Sequence, residues 1–250
     1  MSTPALTLAT VSHSYGERLA ISGVSAQIAR GTTALIGVNG AGKSTLLTIA
    51  AGGMRPTSGS VLVGGESLYS PRSRRRALAG VALMPQASSF PGNMTAREIV
   101  EYLTWMRGAR AGEARKMAAE ALDIVHLGDR ANSRASSLSG GMLRRVALAQ
   151  AIATKPAVLL LDEPSTGLDP EQRRLMVDRL RELDGAVVLS SHVMEDVSDL
   201  ADRVLILDGG SIVFDGTLPE LCRRGPDPES PRAAEAGFLA VLSTRAGVTA

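Results

Sequence analysis

The chain is short of the residues on which small secreted and metal-stapled proteins depend. Its 250 residues include one cysteine, Cys222. A single thiol cannot close a disulfide framework or build a thiolate metal site within the chain, and a reducing, cytosolic compartment suits it. Aromatic residues are scarce: three Tyr, three Phe and one Trp. No run approaches the roughly 18–20 apolar residues that span a bilayer. If the protein serves a membrane process, the spanning part is expected on another chain. Met1-Ser2-Thr3-Pro4 has neither a basic nor an apolar leader region, so no signal peptide is expected. An excess of one charge is also missing. Net charge is +2, and no global basic field argues for nucleic acid. The densest basic patch, Arg72, Arg74, Arg75 and Arg76, fits a solvated face or contact with anionic lipid or a partner. Lysine occurs only at Lys43, Lys116 and Lys155.

What is present is an ordinary globular composition, 44% hydrophobic and 21% charged, in a length that suits one large domain with a substantial subdomain. One of the three lysines sits in Gly37-Val38-Asn39-Gly40-Ala41-Gly42-Lys43-Ser44-Thr45. This stretch matches G-x-x-x-x-G-K-[ST] between an apolar strand-like run, Thr33-Ala34-Leu35-Ile36, and a helix-like run over residues 45–51. Glycines let backbone N–H groups close around phosphate oxygens, and the helix aims its N-terminus at the same anion. Lys43 supplies a point charge for the β- and γ-phosphates, and the Ser44 hydroxyl suits Mg²⁺.

Short continuous apolar runs recur, as strands buried on both faces of a parallel sheet require. They are Ala34-Leu35-Ile36, Val81-Ala82-Leu83-Met84, Val158-Leu159-Leu160-Leu161, Ala186-Val187-Val188-Leu189 and Val204-Leu205-Ile206-Leu207. Helix-like segments, such as residues 142–154 and 171–183, separate most of them, which predicts an α/β core. Polar chemistry follows four of these runs: residues 37–45 after the first, Gln86 after the second, Asp162 and Glu163 after the third, and Ser190, Ser191 and His192 after the fourth. Open α/β sheets bind ligands beyond the carboxyl ends of their strands. Adjacent carboxylates at a strand end face opposite ways, so Asp162 is expected to hold Mg²⁺ and Glu163 to accept a proton from, or orient, the attacking water.

The remaining chain divides by pattern. Residues 87–137 read as a helical insertion with helices over 96–106 and 112–125 and no strand. Residues 5–9, 25–28 and 60–63 read as short antiparallel strands, with a turn over 56–59. Gly209-Gly210 reads as the turn of a β-hairpin. Residues 1–224 are taken as one domain with the helical part inserted at about 87–154. A Pro-, Gly- and charge-rich link from Gly225 to Pro231 then leads to a short helical tail in residues 225–250. Leu138-Ser139-Gly140-Gly141-Met142 precedes the helix of residues 143–154; Ser139 is a sound N-cap, and the glycines also expose N–H groups to an anion.

Together these residues resemble the ATP-binding subunit of ABC transporters, over nearly the whole chain and in the family's motif order. Residues 37–45 resemble Walker A, Gln86 the Q-loop glutamine, residues 138–142 the signature, Asp162 and Glu163 the Walker B aspartate and catalytic glutamate, residues 165–169 the D-loop, and His192 the switch histidine. Tyr15 sits where the family stacks an aromatic ring on adenine. The resemblance implies a P-loop NTPase core with a mainly parallel sheet, an N-terminal antiparallel β-subdomain and an inserted helical subdomain. It implies ATP and Mg²⁺ as cofactors. Glu163, His192 and Gln86 then form the catalytic set. Tyr15, Gly37, Asn39, Gly40, Ala41, Gly42, Lys43, Ser44, Thr45, Ser139, Gly140 and Gly141 contact nucleotide, and Ser44, Gln86 and Asp162 hold the metal. The implied partners are membrane-spanning permease subunits on separate chains and a second ATP-binding subunit, identical or different, at the cytoplasmic face of the membrane. Met142 departs from the usual signature glutamine. With Leu143-Arg144-Arg145, and with Gly108 after Trp105-Met106-Arg107, it is similar to export-type subunits. Two other readings stay open: a soluble non-transport ABC ATPase, and a catalytically degenerate regulatory half of a heterodimer. A single cassette, one cysteine and no long heptad run speak against the first; Glu163, His192 and Gly141 speak against the second.

Overall fold

A computed structural model describes residues 3–246. Met1 and Ser2, from the stretch expected to carry no leader, lie outside the described residues, as do the last four residues of the 225–250 tail. The chain opens with β1 (Leu6–Tyr15), β2 (Arg18–Ile28) and β3 (Gly31–Ile36), followed by α1 (Lys43–Ala50), β4 (Ser58–Val63), β5 (Glu66–Ser67) and α2 (Arg74–Ala79). It continues through β6 (Val81–Met84), the three helices α3 (Ala96–Met106), α4 (Ala111–Ile124) and α5 (Gly140–Ile152), then β7 (Val158–Asp162) and α6 (Pro170–Arg181). The last elements are β8 (Ala186–Ser190), α7 (Met194–Leu200), β9 (Arg203–Asp208), β10 (Ser211–Thr217), α8 (Leu218–Cys222) and α9 (Ala233–Ala246).

Two sheets result. The larger has the order β10-β9-β3-β8-β7-β6; every neighbouring pair is parallel except β9 and β10. The smaller has the antiparallel order β2-β1-β4-β5. The five apolar runs are the five parallel strands. Their side chains divide between layers by the two-residue alternation of a strand. Leu159 and Leu161 of β7, with Val187 and Leu189 of β8, pack against the helical layer of α3, α4, α5 and α6. Val158 and Leu160, with Ala186 and Val188, face α1 and the antiparallel sheet. Ala34 and Ile36 of β3 meet Val197 of α7, Leu221 of α8 and Phe238 and Val241 of α9.

The helical insertion has the two expected helices nearly to the residue and no strand within it. Thr95 and Glu98 close a reciprocal capping box at the start of α3. Arg107 ties this layer to the sheet, donating to the Val81 carbonyl at 2.5 Å and Thr154 Oγ1 at 3.3 Å. The antiparallel strands depart from expectation in length. β1 and β2 run to Tyr15 and from Arg18, well beyond the short strands expected. Register shifts at Val11, His13 and Ser14 break the alternation that would have marked them. Ser58 and Gly59, assigned to a turn, belong to β4. The Gly209-Gly210 hairpin is present, with positive φ at both glycines and Asp208 opposite Ser211, the geometry of a two-residue primed turn. The basic patch is exposed at all four arginines and is tied down locally: Arg74 donates to the Leu68 and Gly52 carbonyls, and Arg76 pairs with Glu66.

Candidate functional site

The loop between β3 and α1 owes its shape to close packing. A Cβ on Gly37 would run into the Leu207 carbonyl of β9, and one on Gly42 would lie 2.7 Å from the Ala20 carbonyl. Gly42 also has φ +107°, a left-handed value that L side chains rarely adopt. Gly42 caps α1 without a side-chain hydrogen bond, and no acidic residue lies in the helix's first turn. By contrast α3, α6 and α8 are capped by the side chains of Thr95, Asp169 and Thr217. The free N–H groups of α1 therefore present partial positive charge to the loop cavity. Lys43 is 8% exposed; its Nζ donates to the Gly37 carbonyl at 2.7 Å and the Val38 carbonyl at 3.3 Å. The loop's own oxygens hold the ammonium over the cradle.

Tyr15, Asn39, Gly40, Gly42, Lys43, Ser44, Thr45, Gln86 and Glu163 line one cavity of about 420 Å³. These residues come from β1, the loop, α1 and the ends of β6 and β7, so the topology gathers what the sequence scatters. Tyr15 is half exposed at the rim, with its hydroxyl 3.4 Å from Thr45 Oγ1 and its ring edge-on to His13. Gly37 and Ala41 are buried beneath the loop. Arg18, Leu19, Ala20, Gly209 and Gly210 complete the wall and were not anticipated. The Gly209-Gly210 turn was legible as a turn, but its docking on the loop, with Gly210 N–H donating to the Ala41 carbonyl at 3.2 Å, is a long-range contact.

The carboxylates separate in an unexpected way. β7 stops at Asp162, and Glu163 adopts φ +51°. A left-handed turn, rather than strand alternation, sends the two side chains apart. Ser190 Oγ donates to Asp162 Oδ1 at 2.6 Å and accepts from Glu163 N–H at 2.9 Å. Glu163 is 6% exposed, and its Oε2 lies 2.5 Å from His192 Nδ1. Ser165, in the following loop, donates to buried Asp196 of α7, which also accepts from Ser191 Oγ and from Arg173 Nε.

Ser139, Gly140 and Gly141 do not line this cavity. Ser139 caps α5, accepting from Met142 N–H at 3.2 Å, and Ser139 and Gly140 are exposed. Gly141 is close-packed: a Cβ there would collide with the Gln172 side chain of α6. Its glycine thus has a packing cause within the chain, beside any contact with an anion.

The oxygen donors Ser44, Gln86 and Asp162 suit a hard cation. Among the described residues no group of three or more His, Cys, Asp or Glu could cage a metal by itself. One carboxylate with a hydroxyl and an amide fits Mg²⁺, which takes few protein oxygens and completes its shell with phosphate and water.

Comparison with known proteins shows the family. Residues 21–166 match the family model described as ABC transporter. The linearmycin resistance ATP-binding protein LnrL of Bacillus subtilis is 34% identical over 218 residues, covering 86% of this chain and 70% of that protein. The Nod factor export ATP-binding protein I of Paraburkholderia xenovorans is 36% identical over 236 residues, covering 89% of this chain and 77% of its own length. Among solved structures, a dimeric post-hydrolysis state of an ATP-binding cassette bound to ADP and Pi superposes with a TM-score of 0.77 at 28% identity, covering 85% of this chain and 98% of that one.

Proposed function

This chain belongs to the ATP-binding subunits of ABC transporters, and on that footing we propose that it hydrolyses ATP as one half of a head-to-tail pair and powers export through separate membrane-spanning chains. The observation that carries the reading is the division of phosphate-binding elements within one chain. Lys43, the uncapped start of α1, Gln86 and Glu163 share a cavity, while Ser139 and Gly140 face outward without a counterpart. Two copies related by a twofold axis give each cavity the other's Ser139–Gly141 terminus.

In this reading Lys43 and the loop N–H groups bind the β- and γ-phosphates, and Tyr15 stacks on the base. Ser44, Gln86 and Asp162 would hold Mg²⁺, which when bound neutralises phosphate charge. Glu163 accepts the proton of the attacking water, and His192 orients the carboxylate and reaches the γ-phosphate. Ser139 and Gly141 donate to the γ-phosphate across the pair, so closure needs ATP and hydrolysis releases it. The contact between Glu163 and His192 supports an active rather than degenerate cassette.

The membrane partner is supported by an apolar groove beside Gln86, lined by Leu83, Pro85, Phe90, Met94 and Tyr102, and by exposed Trp105 and Met106 on the same helix. Among the described residues no helix is long and apolar enough to cross a membrane. Relatives named for Nod factor export and for linearmycin resistance support the outward direction. In the same reading the chain is a cassette with a helical insertion and a C-terminal tail, supported by the packing of the tail helix α9 on α7 and α8. The test is light scattering of the purified full-length chain with Mg²⁺ and ATP. A dimer that forms with ATP and dissociates as phosphate is released is the expected result. A species whose mass ignores ATP while phosphate is released contradicts the paired mechanism.

A further inference from the structure

Arg144 lies in the second turn of α5, and no role was expected for it beyond its export-type neighbourhood. Its guanidinium donates to four main-chain carbonyls. Nε reaches Pro164 at 3.1 Å, Nη2 reaches Asp162 at 3.1 Å and also Glu163, and Nη1 reaches Gln86. A single side chain on the signature helix therefore grips the end of β7 and the loop after β6 together. Burial pushes the guanidinium down from its ordinary range, and the carboxylates of Asp162 and Glu163 partly offset this; it stays charged.

One of the residues it grips is strained. A non-glycine residue at φ +51° is strained and persists only where its surroundings hold it. Glu163 N–H donates to Ser190 Oγ, and its carbonyl accepts from Arg144 and from Thr166 N–H. Ser190 holds one peptide group and Arg144 the other. A planar fork with five donors suits this multi-carbonyl task, and an ammonium does not match it.

We infer that Arg144 is a positioning residue for hydrolysis, fixing the left-handed backbone of Glu163 and yoking it to the Gln86 loop. The inference rests on the hydrolytic reading above. Because Arg144 and the Ser139–Gly141 terminus share one helix, a displacement of α5 is transmitted to the Glu163 and Gln86 carbonyls alike.

The test compares wild type, Arg144→Met, Arg144→Lys and Glu163→Gln as full-length chains. Phosphate release is followed against ATP concentration, and mant-ATP titration gives affinity and site stoichiometry. Arg144→Met is expected to lower kcat about 10-fold or more, with KM and mant-ATP affinity within about threefold and stoichiometry unchanged. Arg144→Lys is expected to fall between. A kcat within about twofold of wild type in both Arg144 variants overturns the inference. So does a fall in kcat matched by an equal fall in binding stoichiometry, which marks lost folded protein; the lysine variant, which keeps charge and stem, decides this if the methionine variant fails to fold. A wild-type rate in Glu163→Gln overturns the hydrolytic reading itself, and the inference with it.

Discussion

Glu163 Oε2 and His192 Nδ1 lie 2.5 Å apart, with the glutamate side chain 7% exposed and the histidine 55%. The buried carboxylate is thus held by a partner that solvent can reach. Glu163→Gln keeps the volume and removes the basic oxygen, so phosphate release is expected to fall by about 100-fold or more while ATP still binds and the pair stays closed. His192→Ala leaves the carboxylate basic but unaimed, and a smaller loss in kcat is expected. Steady-state phosphate release beside mant-ATP affinity checks both; equal rates in wild type and Glu163→Gln would remove Glu163 as the base.

Lys43→Ala deletes the ammonium that the Gly37 and Val38 carbonyls hold over the loop. Nucleotide affinity is expected to fall by about two orders of magnitude, since a charge-assisted phosphate contact is lost from a nearly buried position. Thermal stability should change little, because the lysine's present partners are two carbonyls of its own loop. Fluorescence titration with mant-ATP, read beside a thermal melt, tests this; unchanged affinity would exclude a phosphate role.

These sites were legible because their chemistry is local. The spacing of Gly37, Gly42 and Lys43 builds a cradle with little help from distant residues, and each buried parallel strand announced itself as an unbroken apolar run. What stayed hidden depends on contacts far apart in sequence or on irregular backbone. Nothing in Asp162-Glu163-Pro164 signals a left-handed glutamate, which requires Ser190 and Arg144 from other elements. The outer half of β1, Ser12-His13-Ser14-Tyr15, has no apolar alternation, and its bulged pairing with β2 erases the remaining period. Arg18 and the Gly209-Gly210 turn join the cavity only through the sheet's topology.

Gly141 and Gln172 form a pair whose steric and chemical contributions can be separated. A Cβ at Gly141 meets the far end of the Gln172 side chain. Gln172 is itself anchored, since its Nε2 donates to Asp169 Oδ2 at 2.6 Å. Gly141→Ala is expected to lower both melting temperature and phosphate release. Adding Gln172→Ala removes the obstructing amide and should recover stability. Phosphate release should stay low if the Gly141 N–H must approach a γ-phosphate across the pair, because the methyl group still stands there. Recovery of both in the double variant would show that the glycine serves packing alone.

The start of the helical insertion carries its own pH signature. Glu98 accepts from Thr95 N–H at 2.7 Å and from Thr95 Oγ1 at 3.0 Å, and these bonds hold its carboxyl below the usual range. Glu220 does the same for Thr217 at α8. A carboxylate whose folded pKa lies below its unfolded one contributes stability above the unfolded value, about 4.3, and loses it as pH falls through the folded value. The contribution of Glu98 and Glu220 to melting temperature should therefore be constant from neutral pH to about pH 5 and fall below that. Glu98→Gln keeps an acceptor for the Thr95 N–H but cannot titrate. It is expected to melt slightly below wild type at pH 7 and to lose less on acidification, so the two curves converge as the pH falls below the folded value of Glu98. Circular dichroism melts across that range test the sign, and curves that stay parallel would mean the Thr95 capping box does not carry the acid dependence.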